Sequence, residues 1–312
     1  MIPIKRQNKI LRYANRVGKN SDPVSIQASI TDYCFNKCAM CNHHKRARKK
    51  ILNCEDWINF LNSHPKIESV CYAGGDPFTN PYINKIMEHH KESGQAFGFI
   101  CCGFIPDKVD MDLLEMARWV RVSLDSINPD AYACQRGGLP LDLVLSSINS
   151  MIEASVNVEL TITVTDINCG DIKELIDYAA ENGLCGDIHP AYGTTFAKLG
   201  VSWIKQYCED IKENVILSPY SHGDFYFQDC YAPYYQLYID ANGDIYPCCT
   251  AGGDTEKAPR MHPIGSIYDW DTFLKNRKKF TGDQPFCQFC LDRFGMINKT
   301  IEDNSPFIKS FF

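Results

Sequence analysis

Between residues 24 and 192, short β-branched runs alternate with stretches of helical period, and this rhythm leaves few folds open. VSIQASI (Val24 to Ile30), ESVCYAGG (Glu68 to Gly75), FGFICCG (Phe97 to Gly103), WVRVSLD (Trp119 to Asp125), VELTITV (Val158 to Val164) and GDIHPAY (Gly186 to Tyr192) read as six strands. Between them EDWINFLNS, PYINKIMEHHKESG, DMDLLEMAR, LDLVLSSINSMIEAS and DIKELIDYAAENG carry helical apolar spacing, two of them closed by glycine. Repeated strand and helix predict a parallel sheet with right-handed crossovers, an α/β chain with a partial (β/α)6 TIM-like barrel.

After Tyr192 the rhythm stops. SWIKQYCEDIKEN reads as one helix, a Pro/Ser/Gly/Asp-rich stretch follows, and in YYQLYIDANGDIYPCC two strand-like runs flank a turn signal, predicting a β-hairpin. The expected domains are an N-terminal extension (1–22), the partial barrel (23–195), a linker with one helix (196–229) and a small cysteine-rich α+β module (230–312).

The chain is 45% hydrophobic, enough for a substantial core, and its net charge of -6 argues against broad nucleic-acid binding. The basic run HHKRARKK (His43 to Lys50) reads as a solvated face or as a phosphate or substrate contact. No apolar run approaches a membrane span and no secretory signal is evident, so a cytoplasmic location is expected.

Sixteen cysteines then call for metal or iron-sulfur ligation rather than a disulfide framework. Two groups stand out: Cys34, Cys38 and Cys41, and Cys230, Cys248, Cys249, Cys287 and Cys290. The first group follows the first predicted strand, and in parallel α/β folds the loops after strand C-termini carry the site. Two readings fit it: a zinc knuckle completed by His43 or His44, or a 4Fe-4S cubane on three cysteines with one iron open.

C-x3-C-x2-C in this position resembles the radical S-adenosylmethionine (radical SAM) superfamily. The resemblance implies that Cys34, Cys38 and Cys41 hold a 4Fe-4S cluster whose open iron is chelated by SAM. Reductive cleavage of SAM then yields a 5'-deoxyadenosyl radical that abstracts a hydrogen atom from substrate. AGGDPF (Ala73 to Phe78) resembles the motif whose backbone binds the SAM amino group, nominating Gly74, Gly75 and Asp76, with Asp76 in place of the usual Glu. VSLDS (Val122 to Ser126) resembles the ribose motif, nominating Ser123 and Asp125, and CQRGG (Cys134 to Gly138) nominates Arg136 for the SAM carboxylate. Met40 stands where the family places a bulky residue near the adenine, and Thr163 and Val164 are weaker adenine candidates.

The C-terminal pattern, Cys230-x12-Gly243-x4-Cys248 and Cys287-x2-Cys290, resembles the twitch (truncated SPASM) modules of the same superfamily. That likeness implies one auxiliary 4Fe-4S cluster on these four cysteines, with Cys249 spare; a structural zinc ribbon is the alternative. Two 4Fe-4S clusters and SAM are thus the expected cofactors, and a reductase such as flavodoxin or ferredoxin an expected partner. The expected activity is oxidation or rearrangement (oxidoreductase or isomerase/mutase) of a small molecule of sugar, cyclitol or nucleoside type. A peptide-modifying maturase and a noncatalytic iron-sulfur or zinc protein are the alternatives. Candidate substrate residues at strand ends are Tyr72, Cys102, Asn168, His189 and Tyr192, with His189, Tyr192 and Tyr72 the candidates for catalysis.

Overall fold

The computed structural model describes residues 22–41, 49–190, 215–217, 229–252, 261–281 and 298. In chain order the first elements are β1 (Ser25–Ser29), α1 (Cys54–Ser63), β2 (Ser69–Ala73), a 3-10 turn (Pro77–Thr79), α2 (Ile83–Ser93), β3 (Ala96–Cys101), α3 (Met111–Glu115) and β4 (Val120–Ser123). They continue with α4 (Pro129–Arg136), α5 (Leu141–Glu153), β5 (Val158–Val164), α6 (Ile172–Glu181), β6 (Cys185–Pro190) and β7 (Val215–Leu217). Last come β8 (Asp229–Cys230), α7 (Ala232–Tyr235), β9 (Gln236–Ile239), β10 (Asp244–Tyr246), α8 (Cys249–Gly252), β11 (Gly265–Ser266), α9 (Trp270–Asn276) and β12 (Phe280–Thr281). The expected α/β class holds, with an open parallel sheet consistent with a partial TIM-like barrel.

The chain divides into two compact units, 30–51 with 72–220, and 1–29 with 52–71 and 221–312. In the first, β3, β4, β5, β6 and β7 are parallel neighbours in that order. The strand β7 lies inside the segment read as a linker; its three residues, VIL, pair with Gly186 to Ile188 of β6. The helix expected over 202–214 lies outside the described residues.

Helices cover one face of these strands. Ile172, Leu175, Ile176 and Ala179 of α6, and Leu141, Val144, Ile148 and Met151 of α5, are buried at helical spacing. Along β5, Val158, Leu160, Ile162 and Val164 are buried while Glu159, Thr161 and Thr163 face the other way. That second face is polar. Arg121 of β4 meets Glu159 at 2.6 Å and Asp187 of β6 at 3.2 Å, and Ser123 stands opposite Thr161, itself opposite Asp187.

One polar pair lies within the apolar packing. The Tyr72 hydroxyl is 2.6 Å from Nε2 of His90, both buried, with Tyr72 stacked on Phe99 and His90 on Phe97. Burial, then the neighbouring His89, lowers the pKa of His90 to about 3. The folded state therefore refuses a proton that the unfolded chain accepts below about pH 6.5, so stability is full above that pH and falls as pH drops towards 3. At pH 5 the loss should reach about 2 kcal/mol. Anaerobic urea unfolding at pH 7 and pH 5 should show this difference in the wild type and lose most of it in His90→Gln; an equal pH dependence in both would refute it.

In the second unit β1 pairs in parallel with β9, and the β9–β10 hairpin forms as expected, with Ile245 opposite Ile239 and Tyr246 opposite Tyr238. Asn53 caps α1, its side chain accepting from Glu55 N and Asp56 N, which contributes about 1 kcal/mol. Trp57, Phe60 and Leu61 of that helix are buried, and Phe60 packs edge-on against Trp270 of α9. A two-stranded sheet of β8 and β12 sets Cys230 opposite Phe280.

Candidate active site

The three-cysteine loop follows β1 and is closed at its base by Asp32, whose N–H donates to Lys50 O at 2.8 Å while its carboxylate accepts from Lys50 N at 3.2 Å. Backbone hydrogen bonds grip the loop from two sides. On one, Gly75 N donates to Thr31 O at 3.0 Å and Asp76 N to Tyr33 O at 2.7 Å. On the other, Lys37 N donates to Gly137 O at 2.5 Å and Ala39 N to Gln135 O at 2.9 Å, both acceptors at the C-terminal end of α4.

Each side depends on a missing side chain. A Cβ on Gly75 would overlap the Tyr33 carbonyl oxygen and crowd that of Thr31, and one on Gly138 would crowd Phe35 O and Asn36.

Within this grip Cys38 is buried and Cys34 and Cys41 are half-buried. Among the described residues, no three metal-binding side chains converge on one point as they do around a single ion. The three thiols are nonetheless electrostatic neighbours: burial, Asp76 and then Cys38 and Cys41 push the Cys34 thiol up to about 12. Three thiols brought together in one loop would need a cationic centre to be held as thiolates, and a cubane, which takes one cysteine per iron, would supply it.

Beside the thiols lies a buried charged pair. Arg136 Nε is 2.6 Å from Asp125 Oδ2, and Arg136 Nη1 is 3.7 Å from Cys38 Sγ. Nε and Oδ2 are spent on one another, while the buried Asn36 Nδ2 has no hydrogen-bond partner among the described residues and leaves polar capacity for a bound group. The donor set therefore fits a cluster with a polar cofactor over it.

Asp125 is fully buried, its other oxygen accepting from Thr163 N at 2.7 Å. Asn168 donates to Asp125 O at 2.6 Å and Thr163 O at 3.0 Å, while Gln135 donates to Thr163 O at 2.8 Å and accepts from the Thr165 hydroxyl at 2.5 Å. This network ties the ends of β4 and β5 to α4. Sequence reasoning missed both α4 and Gln135. A signal for the helix was present, since Asn128 caps Asp130 N and Ala131 N and Pro129 follows it.

The other expected residues are distributed as follows. Asp76 is buried, one carboxylate oxygen accepting from Phe78 N at 3.0 Å and the other from Cys102 N at 2.7 Å; burial pushes its pKa up and these bonds oppose the shift. Gly74 has a φ of 115°, Ser123 is half-buried on the polar face, and Met40 is 38% exposed in the turn before Cys41. Val164 is buried, Cys102 is buried beside Asp76, and Tyr72 is committed to His90. The backbone of His189 stands opposite Thr163. Tyr192, Cys287 and Cys290 lie outside the described residues, as does all of the basic run except Lys49 and Lys50, both exposed.

Of the auxiliary group, Cys230 lies on β8 and Cys248 just before α8, which Cys249 begins. The Thr250 hydroxyl is 3.1 Å from Cys248 Sγ, and Asn298 Nδ2 is 3.4 Å from Cys230 Sγ. No motif announced Asn298.

A strand and helix alternation with a three-cysteine loop at its strand ends fits an iron-sulfur enzyme, and comparison with known proteins names the class. A family model described as the radical SAM superfamily matches residues 28–179, and a SPASM model described as an iron-sulfur cluster-binding domain matches 230–291. This chain belongs to the radical SAM superfamily and carries a C-terminal SPASM/twitch iron-sulfur domain.

A GTP 3',8-cyclase of Clostridium perfringens strain 13 is 27% identical over 182 residues, 54% of this chain and 54% of its own. A probable GTP 3',8-cyclase of Methanococcus maripaludis is 24% identical over 168 residues, 51% of this chain and 56% of its own. The chain thus spans about half the length of the curated relatives it matches. Among solved structures, Streptococcus suis SuiB bound to S-adenosylmethionine has a TM-score of 0.67 at 17% identity, covering 92% of this chain and 76% of that one. The protein anSMEcpe with bound AdoMet has a TM-score of 0.62 at 15% identity, covering 89% and 83%. These two likenesses establish the fold. Among the described residues no helix is long and apolar enough to cross a membrane.

Proposed function

We propose that this chain binds a 4Fe-4S cluster on Cys34, Cys38 and Cys41 and acts with S-adenosylmethionine on a small polar molecule, with a nucleoside or nucleotide the first class to test. The observation that supports a polar substrate is the strand face opposite the helices. There Ser123 stands in register with Thr161, whose hydroxyl is buried with no hydrogen-bond partner among the described residues, and Thr163 lies further along the same strand. A hydroxyl so placed favours a ligand that can hydrogen-bond to it. Likeness to proteins named GTP 3',8-cyclase favours the nucleotide class.

Bound together, the cluster and SAM supply the 5'-deoxyadenosyl radical that takes a hydrogen atom from substrate. The chain's own part is placement. Gly74, Gly75 and Asp76 present backbone at the loop, Arg136 is held by Asp125 for a carboxylate, and Met40 adjoins the third cysteine. Cys230, Cys248, Cys287 and Cys290 hold the auxiliary cluster, and a flavodoxin or ferredoxin type of reductase supplies electrons.

Single substitutions Cys34→Ala, Cys38→Ala and Cys41→Ala should each abolish 5'-deoxyadenosine formation while leaving the iron of the auxiliary cluster. Chromatography of the reduced, SAM-supplied protein beside an iron count checks this; a variant that loses all iron would refute the two-site assignment. For substrate, the reconstituted enzyme is offered nucleotides, sugars, cyclitols and peptides, and 5'-deoxyadenosine release is compared. Stimulation by peptides alone would sink the small-molecule reading in favour of a maturase. Product mass then separates oxidation, which removes two hydrogens, from rearrangement, which removes none.

A further inference from the structure

In the C-terminal unit two polar side chains aim donors at cysteine sulfurs. Asn298 is fully buried, and its Oδ1 accepts from Tyr231 N at 2.9 Å and the Tyr235 hydroxyl at 3.4 Å. With the carbonyl oxygen so engaged, the amide has one sensible orientation, and Nδ2 faces Cys230 Sγ at 3.4 Å. Thr250 is the second residue of α8, with its hydroxyl 3.1 Å from Cys248 Sγ, and the backbone N–H groups of Thr250 and Ala251 bond to the same sulfur. Once Cys248 ligates iron as a thiolate, the sulfur has no proton to give and the hydroxyl must be the donor.

We propose that Asn298 and Thr250 are positioning residues of the auxiliary cluster, hydrogen-bonding the ligating sulfurs of Cys230 and Cys248 and raising the cluster's reduction potential. The inference rests on the iron-sulfur reading of residues 230–291. Reduction adds one electron and no proton, so negative charge on the sulfurs grows. A donor fixed on a sulfur stabilises the reduced state more than the oxidised one. An auxiliary cluster raised in this way is a better acceptor for the one electron that a substrate radical would lose in becoming an oxidised product.

The test uses the full chain with Cys34, Cys38 and Cys41 all changed to Ala, so that only the auxiliary cluster is observed. Thr250→Val keeps side-chain shape and deletes the hydroxyl, Thr250→Ser restores it, and Asn298→Asp keeps the acceptor for both tyrosines while removing the donor. Each is titrated with dithionite against redox mediators and followed by electron paramagnetic resonance. Thr250→Val should lower the midpoint by about 59 mV, a tenfold smaller ratio of reduced to oxidised cluster at fixed poise. Thr250→Ser should return to the parent value, and Asn298→Asp should fall at least as far as Thr250→Val. A full cluster whose potential ignores all three changes would overturn this inference alone, and an iron-free parent would overturn the iron-sulfur reading beneath it. If Asn298→Asp loses its cluster, the Thr250 pair still decides.

Discussion

Gly75→Ala is expected to cut 5'-deoxyadenosine formation on the order of 100-fold or more, the scale of an ångström-sized displacement at a reacting centre. The added carbon would overlap the Tyr33 carbonyl oxygen and press on Thr31 O and the Asp32 carbonyl carbon, all main-chain atoms with no rotamer to escape into. Two of these carbonyls are the acceptors that anchor the loop start, so relief must move the segment leading into Cys34. Iron at the first site should fall with activity while the second cluster stays. Gly170→Ala, where nothing lies within 4 Å of the new carbon, is the control and should match the wild type. Full activity in Gly75→Ala would show that the loop tolerates displacement and that the glycine is there for another reason.

The second large effect is expected on stability. Asp125→Asn leaves the Arg136 charge buried beside Cys38 without its counter-ion, and breaking one half of such a pair costs about 3–5 kcal/mol. Burial works against the arginine's charge, and Asp125 is the foremost group restoring it, ahead of Cys38. Arg136→Gln should be costly for the converse reason. The double variant should lose less than the sum of the singles, with coupling of about 1–3 kcal/mol in anaerobic denaturant titrations. Additive losses, or a single-variant cost under about 1 kcal/mol, would mean that the pair is solvated and not the anchor described.

Much of this arrangement was legible in the residues. The triad spacing, the strand alternation and the hairpin turn are local patterns, and local patterns survive in one dimension. The helix Pro129–Arg136 was equally local, announced by Asn128 and Pro129, yet its weak amphipathy hid it behind the motif read at its end. Other features had no local signal. Gln135 meets Thr165 only because tertiary packing brings the end of α4 to the end of β5 across 30 residues, and Asn298 meets Cys230 across 68. The strand VIL is too short to declare itself without its partner β6. Asp76 shows the converse: its resemblance to a motif was visible, while its commitment to Phe78 N and Cys102 N was not.

The two-sided grip on the cysteine loop has a bearing on how such a site can vary. Its four clamps run from main chain to main chain, at Gly75, Asp76, Lys37 and Ala39, and among the side chains between the thiols the buried Asn36 adds one more, accepting from Leu139 N at 3.0 Å, so the loop's path depends little on its exposed residues. Lys37 and Ala39, both exposed, are therefore free to drift, whereas Phe35 is held edge-on against Phe104; a library randomising the two exposed positions should retain cluster binding in most members. A scaffold that separates the shape of its metal loop from that loop's chemical identity can change what lies above the cluster without reinventing the cluster itself.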